Sequence, residues 1–118
     1  MVKHPGFGVF NKAHREFFNA LDDHDWHALS GYSGVEEKVL SGTFDHDART
    51  GSVTRLSRWS AGAAVPTPVK HDWCEEVFIV SGTMSIGTPE KEEELLPAGT
   101  YAVRPPGISH GPFFSRDG

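Results

Sequence analysis

Turn-forming residues interrupt this chain at short intervals. Its 118 residues include 13 glycines and 8 prolines, and the apolar runs between them are short. Short apolar runs separated by glycine and proline are typical of β-strands joined by tight turns. At this length the chain can form one domain with a single hydrophobic core. The sequence therefore predicts an all-β sandwich or barrel.

Strand patterns recur along most of the chain. Period-two alternation or continuous apolar runs mark strands at residues 34–41, 52–60, 76–86 and 100–104. Gly82 interrupts the third of these, which indicates a turn or a bulge there. The charged segment from Thr88 to Glu94 is expected to be a polar loop, with its Lys91 and glutamates at a solvated hairpin tip.

The N-terminal region has a different pattern. Apolar side chains recur at helical spacing over residues 11–22, and Asn11 can cap the first turn. An aspartate-rich run then ends this predicted helix. The sequence thus divides into an N-terminal arm with a short helix, residues 1–25, and a β-domain, residues 26–118.

Charge and hydropathy exclude several classes of partner. The net charge of −5 and the lack of a Lys/Arg cluster argue against nucleic acid. No apolar run approaches the roughly 20 residues that span a bilayer, and the N-terminus lacks the apolar core of a signal peptide. We expect a cytoplasmic protein with no membrane partner. The single cysteine, Cys74, cannot form an intramolecular disulfide and is expected to be a buried, unreactive thiol.

Two stretches of the sequence contain the candidate functional residues. His71 and Glu75 lie four residues apart in the first stretch, and His110 follows a Pro-Pro-Gly turn in the second. Alternate residues of a strand share a face, so His71 and Glu75 can point the same way while Glu76 points to the other side. Two imidazoles and a carboxylate suit a divalent transition metal such as iron, zinc, nickel or manganese. Taken one at a time, each residue is equally well explained as surface or as hydrogen-bonded core.

Two other histidines and four possible lining residues bear on this site. His24 and His46 also stand beside aspartates, but neighbouring loop residues seldom converge on one ion, so both are interpreted as surface. Four residues near the two stretches are candidates to line a ligand pocket: Val69, Trp73, Tyr101 and Arg104.

The spacing of the two stretches resembles the two motifs of the cupins, small double-sheet β-barrels that hold one metal ion. The matching positions are Gly62, His71, Glu75 and Gly82, followed by Gly99, Pro105, Gly107 and His110. The local sequences "CEEVFIVSGTMS" and "LPAGTYAVRPPGISHGPF" look most like those of the ChrR-like branch. This branch includes the cupin domain of a zinc-binding anti-sigma factor and some dioxygenases of aromatic ketones. The resemblance covers residues 26–118 and implies a jelly-roll barrel, the cupin double-stranded β-helix.

The chain departs from the cupin pattern at two positions. Val69 stands where the family has its first histidine, and Phe114 stands where it has an asparagine. The remaining His71, Glu75 and His110 resemble the two-His-one-carboxylate triad of non-haem Fe(II) oxygenases. The resemblance also implies further strands after the second motif, so either the chain is a fragment or a partner's strand fills that place.

The resemblance implies three alternative functions. The first is a metal-dependent enzyme, dioxygenase-like, with a small carbonyl or phenolic substrate. The second is a sensor or binding module in which a metal or small ligand controls a partner. The third is a degenerate barrel without a working site, which Val69 favours. A homodimer is also expected, because association covers the exposed edges and apolar sheet face of small barrels.

Overall fold

The computed structural model describes residues 2–4 and 7–118, with side chains from residue 11 onward. Every regular element in this part of the chain is a β-strand, and the defined strand pairs are antiparallel, so the all-β prediction is confirmed. No helix in these residues is long and apolar enough to cross a membrane. The strands are β1 (Val2–His4), β2 (Phe7–Phe10), β3 (His27–Ala28), β4 (Val35–Asp45), β5 (Thr50–Trp59), β6 (Ala64–Val65), β7 (Glu75–Phe78), β8 (Thr83–Thr88), β9 (Lys91–Pro97), β10 (Tyr101–Arg104) and β11 (Phe113–Phe114).

The chain forms two compact units. The first unit comprises Met1–His27 and Glu37–Ser57, and the second comprises Ala28–Glu36 and Arg58–Gly118. The hairpin of β4 and β5 contributes to both, and these strands follow β3 in a sheet of order β3-β4-β5. The division of the sequence after residue 25 stays a prediction.

A buried lysine explains an irregular strand pattern in the first unit. Lys38 of β4 is only 5% exposed, whereas the next residue, Val39, is 53% exposed. The Lys38 ammonium donates to the Asp22 carboxylate at 2.7 Å and lies 5.7 Å from the centroid of the Trp26 ring. A buried charge is tolerated only when it is paired. Asp22 therefore serves as the partner of an inward-facing cation, rather than only as the polar break that the sequence indicated.

The predicted helix over residues 11–22 is wrong. These residues are mostly irregular, with a bend at Phe17 and a turn at residues 20–21, and Phe17 has a φ of 53°, which a right-handed helix excludes. The Asn11 amide does not cap a helix, because it donates to the backbone oxygens of Thr43 and Ser52 in the β4–β5 hairpin. A helix of this length is marginal on its own, and the largest side chain of its predicted apolar face, Phe17, is 99% exposed among the described residues.

The core of the second unit lies in the sheet of order β6-β11-β8-β9. Phe114 of β11 pairs with Ala64 on one side and Ser85 on the other, and it is 1% exposed. Val65 and Ala63 are buried with it. The position that holds an asparagine in the cupin pattern is thus filled here by the most deeply buried large side chain of the described residues.

The charged segment after Thr88 is a strand instead of the predicted loop. Residues 91–97 form β9, the outermost strand of this sheet, which pairs with β8 and is exposed along most of its length. A strand that is paired on one side only lets its charged side chains reach water, so the polar composition did not prevent pairing. Gly82, with a φ of 71°, lies in the turn between β7 and β8, as the sequence indicated.

Candidate metal centre

His110 is fixed by backbone pairing to Val69. The Val69 N–H donates to the His110 oxygen and the His110 N–H donates to the Val69 oxygen, each at 2.8 Å. Residues that exchange both hydrogen bonds in an antiparallel pair present their side chains on the same face. The position of the absent histidine is therefore a direct neighbour of the His110 imidazole.

A glycine turn brings the second stretch back to the first. The Ile108 N–H donates to the Pro105 oxygen at 3.4 Å, and Gly107 has a φ of 84°, the conformation that the third position of a type II turn requires. The Gly107 N–H then donates to the His71 oxygen at 2.8 Å. This turn ties the backbone of His71 to the segment that ends in His110.

Glu75 begins β7 and lies opposite Arg104 of β10. The Arg104 Nη1 donates to Glu75 Oε1 at 2.8 Å, and both side chains are 17% exposed. The backbone bends at residues 72–73, so His71 and Glu75 do not share one continuous strand. Their side chains still meet, with His71 Nε2 3.7 Å from Glu75 Oε2.

The three residues predicted as metal ligands form one cluster. One ligand atom from each of His71, Glu75 and His110 lies within 4.8 Å of the other two. His110 Nε2 is 3.7 Å from Glu75 Oε1, which is too long for a hydrogen bond. Ligand atoms about 2.0–2.2 Å from a common ion stand about 3–4 Å apart. The separations in this cluster are close to those that a bound metal requires.

The imidazole of His110 is the clearest sign that the cluster can take an ion. Both of its ring nitrogens are buried and make no hydrogen bond to the residues that the structure describes. Buried polar atoms are almost always partnered, so an orphaned imidazole calls for a further ligand. Burial lowers the pKa of His110, and the charge of Arg104 and the nearby His71 lower it further, whereas Glu75 opposes them. The neutral imidazole that results has a lone pair to give to a metal.

The proposed lining residues fall on different sides of the sheet. Trp73 stacks on His71, with ring centroids 4.3 Å apart and planes at 10°. Arg104 faces the cluster through Glu75, as described above. Tyr101 lies on the other face of the β7–β10 pair, where its hydroxyl donates to Glu76. The structure thus brings Val69, Trp73 and Arg104 to the cluster and places Tyr101 away from it.

Two further residues lie near the cluster: Cys74, whose exposure differs from the prediction, and Phe113, which adds to the predicted lining. Cys74 is exposed and not buried, because it lies between two residues that face inward along this segment. Phe113 supplies an aromatic wall, with its ring centroid 5.9 Å from that of His110 and 5.6 Å from Arg104 Cζ. Phe113 is not among the four predicted lining residues, because an aromatic residue three positions after His110 gives no ligand signal in the sequence.

Comparison with known families agrees with this architecture. A family model described as ChrR Cupin-like domain matches residues 14–118, which is most of the chain. A search of curated proteins found none that matches. The matched region contains every residue of the cluster, both glycine-bounded stretches and the antiparallel sheets that carry them. This chain belongs to the ChrR Cupin-like domain family of the cupins.

Proposed function

We propose that this chain is a metal-dependent enzyme that acts on a small carbonyl or phenolic substrate in a dioxygenase-like reaction. The observation that carries the proposal is the convergence of His71, Glu75 and His110, with both His110 ring nitrogens buried and without a hydrogen bond to any residue that the structure describes. Two imidazoles and one carboxylate would hold a divalent metal and leave coordination positions for other ligands. When bound, such a metal supplies Lewis acidity toward substrate oxygen atoms and, if it is iron, activation of O₂.

The residues around the cluster have separable tasks in this proposal. Trp73 holds the His71 ring in orientation by stacking on it. Arg104 donates a hydrogen bond to one oxygen of Glu75, and the other oxygen of Glu75 lies 3.7 Å from His71 Nε2. Val69, beside His110, offers an apolar side chain where a fourth ligand could stand, so it widens access to the metal. The partial exposure of the three ligands, between 11% and 24%, lets a small molecule reach them.

A second candidate function is a sensor or binding module in which metal or ligand occupancy controls a partner. The match to the ChrR Cupin-like domain family favours it. The same three residues would hold the metal in both cases, so the cluster alone does not discriminate between them. Turnover of a substrate separates the enzyme from the sensor, and the identity of the bound metal is the first indication.

The test is elemental analysis of protein purified without a histidine tag. We expect about one metal equivalent per chain, with a large loss in Glu75→Gln and in His110→Ala, since even residues that only support ligands are worth roughly 10–100-fold in affinity. Glu76→Gln is the matched control for the carboxylate, because Glu76 lies on the opposite face and bonds Tyr101. His27→Ala, an exposed histidine of β3, is the control for the imidazole.

The outcomes separate the alternatives. Iron together with oxygen uptake on small diketones or phenolic ketones supports the enzyme. Zinc without turnover supports the sensor. Absence of metal after reconstitution, in wild type as in the variants, would refute both and leave a degenerate barrel.

A further inference from the structure

The candidate metal centre includes a positively charged side chain, Arg104. Arg104 is 17% exposed, and its Nη1 lies 2.8 Å from Glu75 Oε1. That same oxygen is the one nearest to His110, at 3.7 Å from Nε2. The guanidinium therefore bonds a carboxylate that a metal would also bind, and its charge opposes the entry of the metal. Because the charge of Arg104 disfavours metal binding, this residue is expected to have another role in the charge of the centre.

The charge of the loaded site indicates that role. Glu75 carries one negative charge, which the positive charge of Arg104 offsets, and imidazoles that hold a metal ion are neutral. A divalent metal would leave this partly buried cluster with an excess of two positive charges. Uncompensated charge in a shielded site is costly, and coulombic attraction is stronger there than in water. The excess is removed most directly by an anionic ligand.

We propose that Arg104 is the residue that recognises an anionic group on the ligand of this centre, and that the ligand is a small carboxylate or enolate joined to an apolar or aromatic body. This inference rests on the metal centre proposed above. A guanidinium offers five N–H donors in a planar fork, which matches a carboxylate, and the bond to Glu75 is made from Nη1. Phe113 lies beside both Arg104 and His110, so an aromatic body has a wall next to the anion site.

The experiment uses para-fluorobenzoate as the probe and its neutral amide, para-fluorobenzamide, as the matched ligand. Zinc uptake is first measured by elemental analysis on the full chain, for the wild type, Arg104→Gln and Arg58→Gln. Arg58 is the control, since it is an exposed arginine of β5 that pairs with Glu36 at 3.0 Å. Binding of both probes is then followed by fluorine NMR titration.

We expect Arg104→Gln to keep or strengthen zinc binding, because a competing cation is removed, and to bind para-fluorobenzoate at least about tenfold more weakly. Its affinity for the amide should not change, and Arg58→Gln should behave as wild type. Equal affinity of wild type and Arg104→Gln for the carboxylate would overturn the inference. Loss of zinc from Arg104→Gln would also overturn it, because Arg104 would then only support Glu75.

The proposed metal centre can fail independently of this inference. If the wild type takes up no zinc, the metal centre is refuted, and the same titration is read on the metal-free protein. Carboxylate binding that still depends on Arg104 would then support the anion site alone. Carboxylate binding that does not depend on Arg104 would refute both.

Discussion

Val69 lies directly opposite His110, and the two residues exchange a pair of 2.8 Å backbone hydrogen bonds. Because side chains of such a pair share a face, the valine occupies the place from which a third imidazole would reach the cluster. The candidate centre therefore has three ligands because position 69 is a valine. The backbone at this position is still placed to present a fourth ligand.

This relationship predicts that Val69→His tightens metal binding. A third imidazole beside His110 should raise the affinity for zinc by at least about tenfold, because it adds a direct ligand and ligand-supporting residues alone are worth about 10–100-fold. Competition with a chelator of known affinity measures the change. Val103→His is the control, since Val103 is 54% exposed and two residues from Tyr101 on the face away from the cluster. Unchanged affinity in Val69→His would show that position 69 does not reach the metal.

A second prediction concerns the stack of Trp73 on His71. A transition metal bound to His71 lies close to the indole, whose ring centroid is 4.3 Å from that of the imidazole. Nickel should therefore quench part of the tryptophan emission, and Trp73→Phe should remove most of that quenching without reducing the amount of nickel bound. Trp26→Phe, a change in the first unit, should leave the quenching in place. Quenching that persists in Trp73→Phe would contradict this geometry.

A third prediction concerns the core of the second unit. Phe114 is 1% exposed between Ala64 and Ser85, so Phe114→Ala should lower the free energy of unfolding by about 3–5 kcal/mol. Phe78 is 62% exposed on β7, and Phe78→Ala should cost less than about 1 kcal/mol. Urea denaturation compares the two variants. Equal midpoints for them would mean that Phe114 does not anchor this core.

A fourth prediction is a pH dependence in the first unit. The hydrogen bond from Lys38, helped by the His24 N–H, lowers the pKa of Asp22 from 3.8 to about 2. A depressed carboxyl pKa stabilises the native state above the unfolded pKa, and this contribution is lost as the pH falls from about 4 to about 2. Asp22→Asn should therefore be less stable than wild type at neutral pH and approach it over that interval. The side chain is 39% exposed, so the difference is modest.

Urea midpoints at several pH values check this dependence. Asp47→Asn, which changes an exposed aspartate of the same unit, should follow the wild type throughout. A gap between Asp22→Asn and wild type that stays constant down to pH values near 2 would argue against the ion pair as its origin.

The candidate ligands could be predicted from the sequence because their residue types and their spacing match the two motifs of the cupins. His71 and Glu75 are four residues apart, and a rigid turn precedes His110. The contact between Arg104 and Glu75 is different, since it depends on the register of β10 against β7, two strands far apart in the chain. Nothing in the spacing of the two stretches encodes that register. Arg104 was therefore only one of several lining candidates, and Tyr101 was indistinguishable from it.

The two wrong predictions of secondary structure, the helix at residues 11–22 and the loop at residues 88–94, have the same cause. Residues 11–22 have helical periodicity, but Asn11 instead forms hydrogen bonds to the distant β4–β5 hairpin. The polar composition of β9 suggested a loop, but the outermost strand of a sheet can carry charged side chains. Both outcomes depend on which element lies beside the segment. The homodimer and the cytoplasmic location stay predictions. A monomer mass by light scattering would refute the first.

The charged face of β9 has a consequence for contacts between molecules. The outermost strand of a sheet leaves one row of backbone N–H and C=O groups available to a strand from another chain. On β9 that row is accompanied by the glutamates at 92–94, all exposed. A second copy that added its own β9 there would bring carboxylates against carboxylates across neighbouring strands, which is destabilising. Fibre-like growth of this sheet from copy to copy is therefore opposed by the same run of glutamates that made the segment look like a loop.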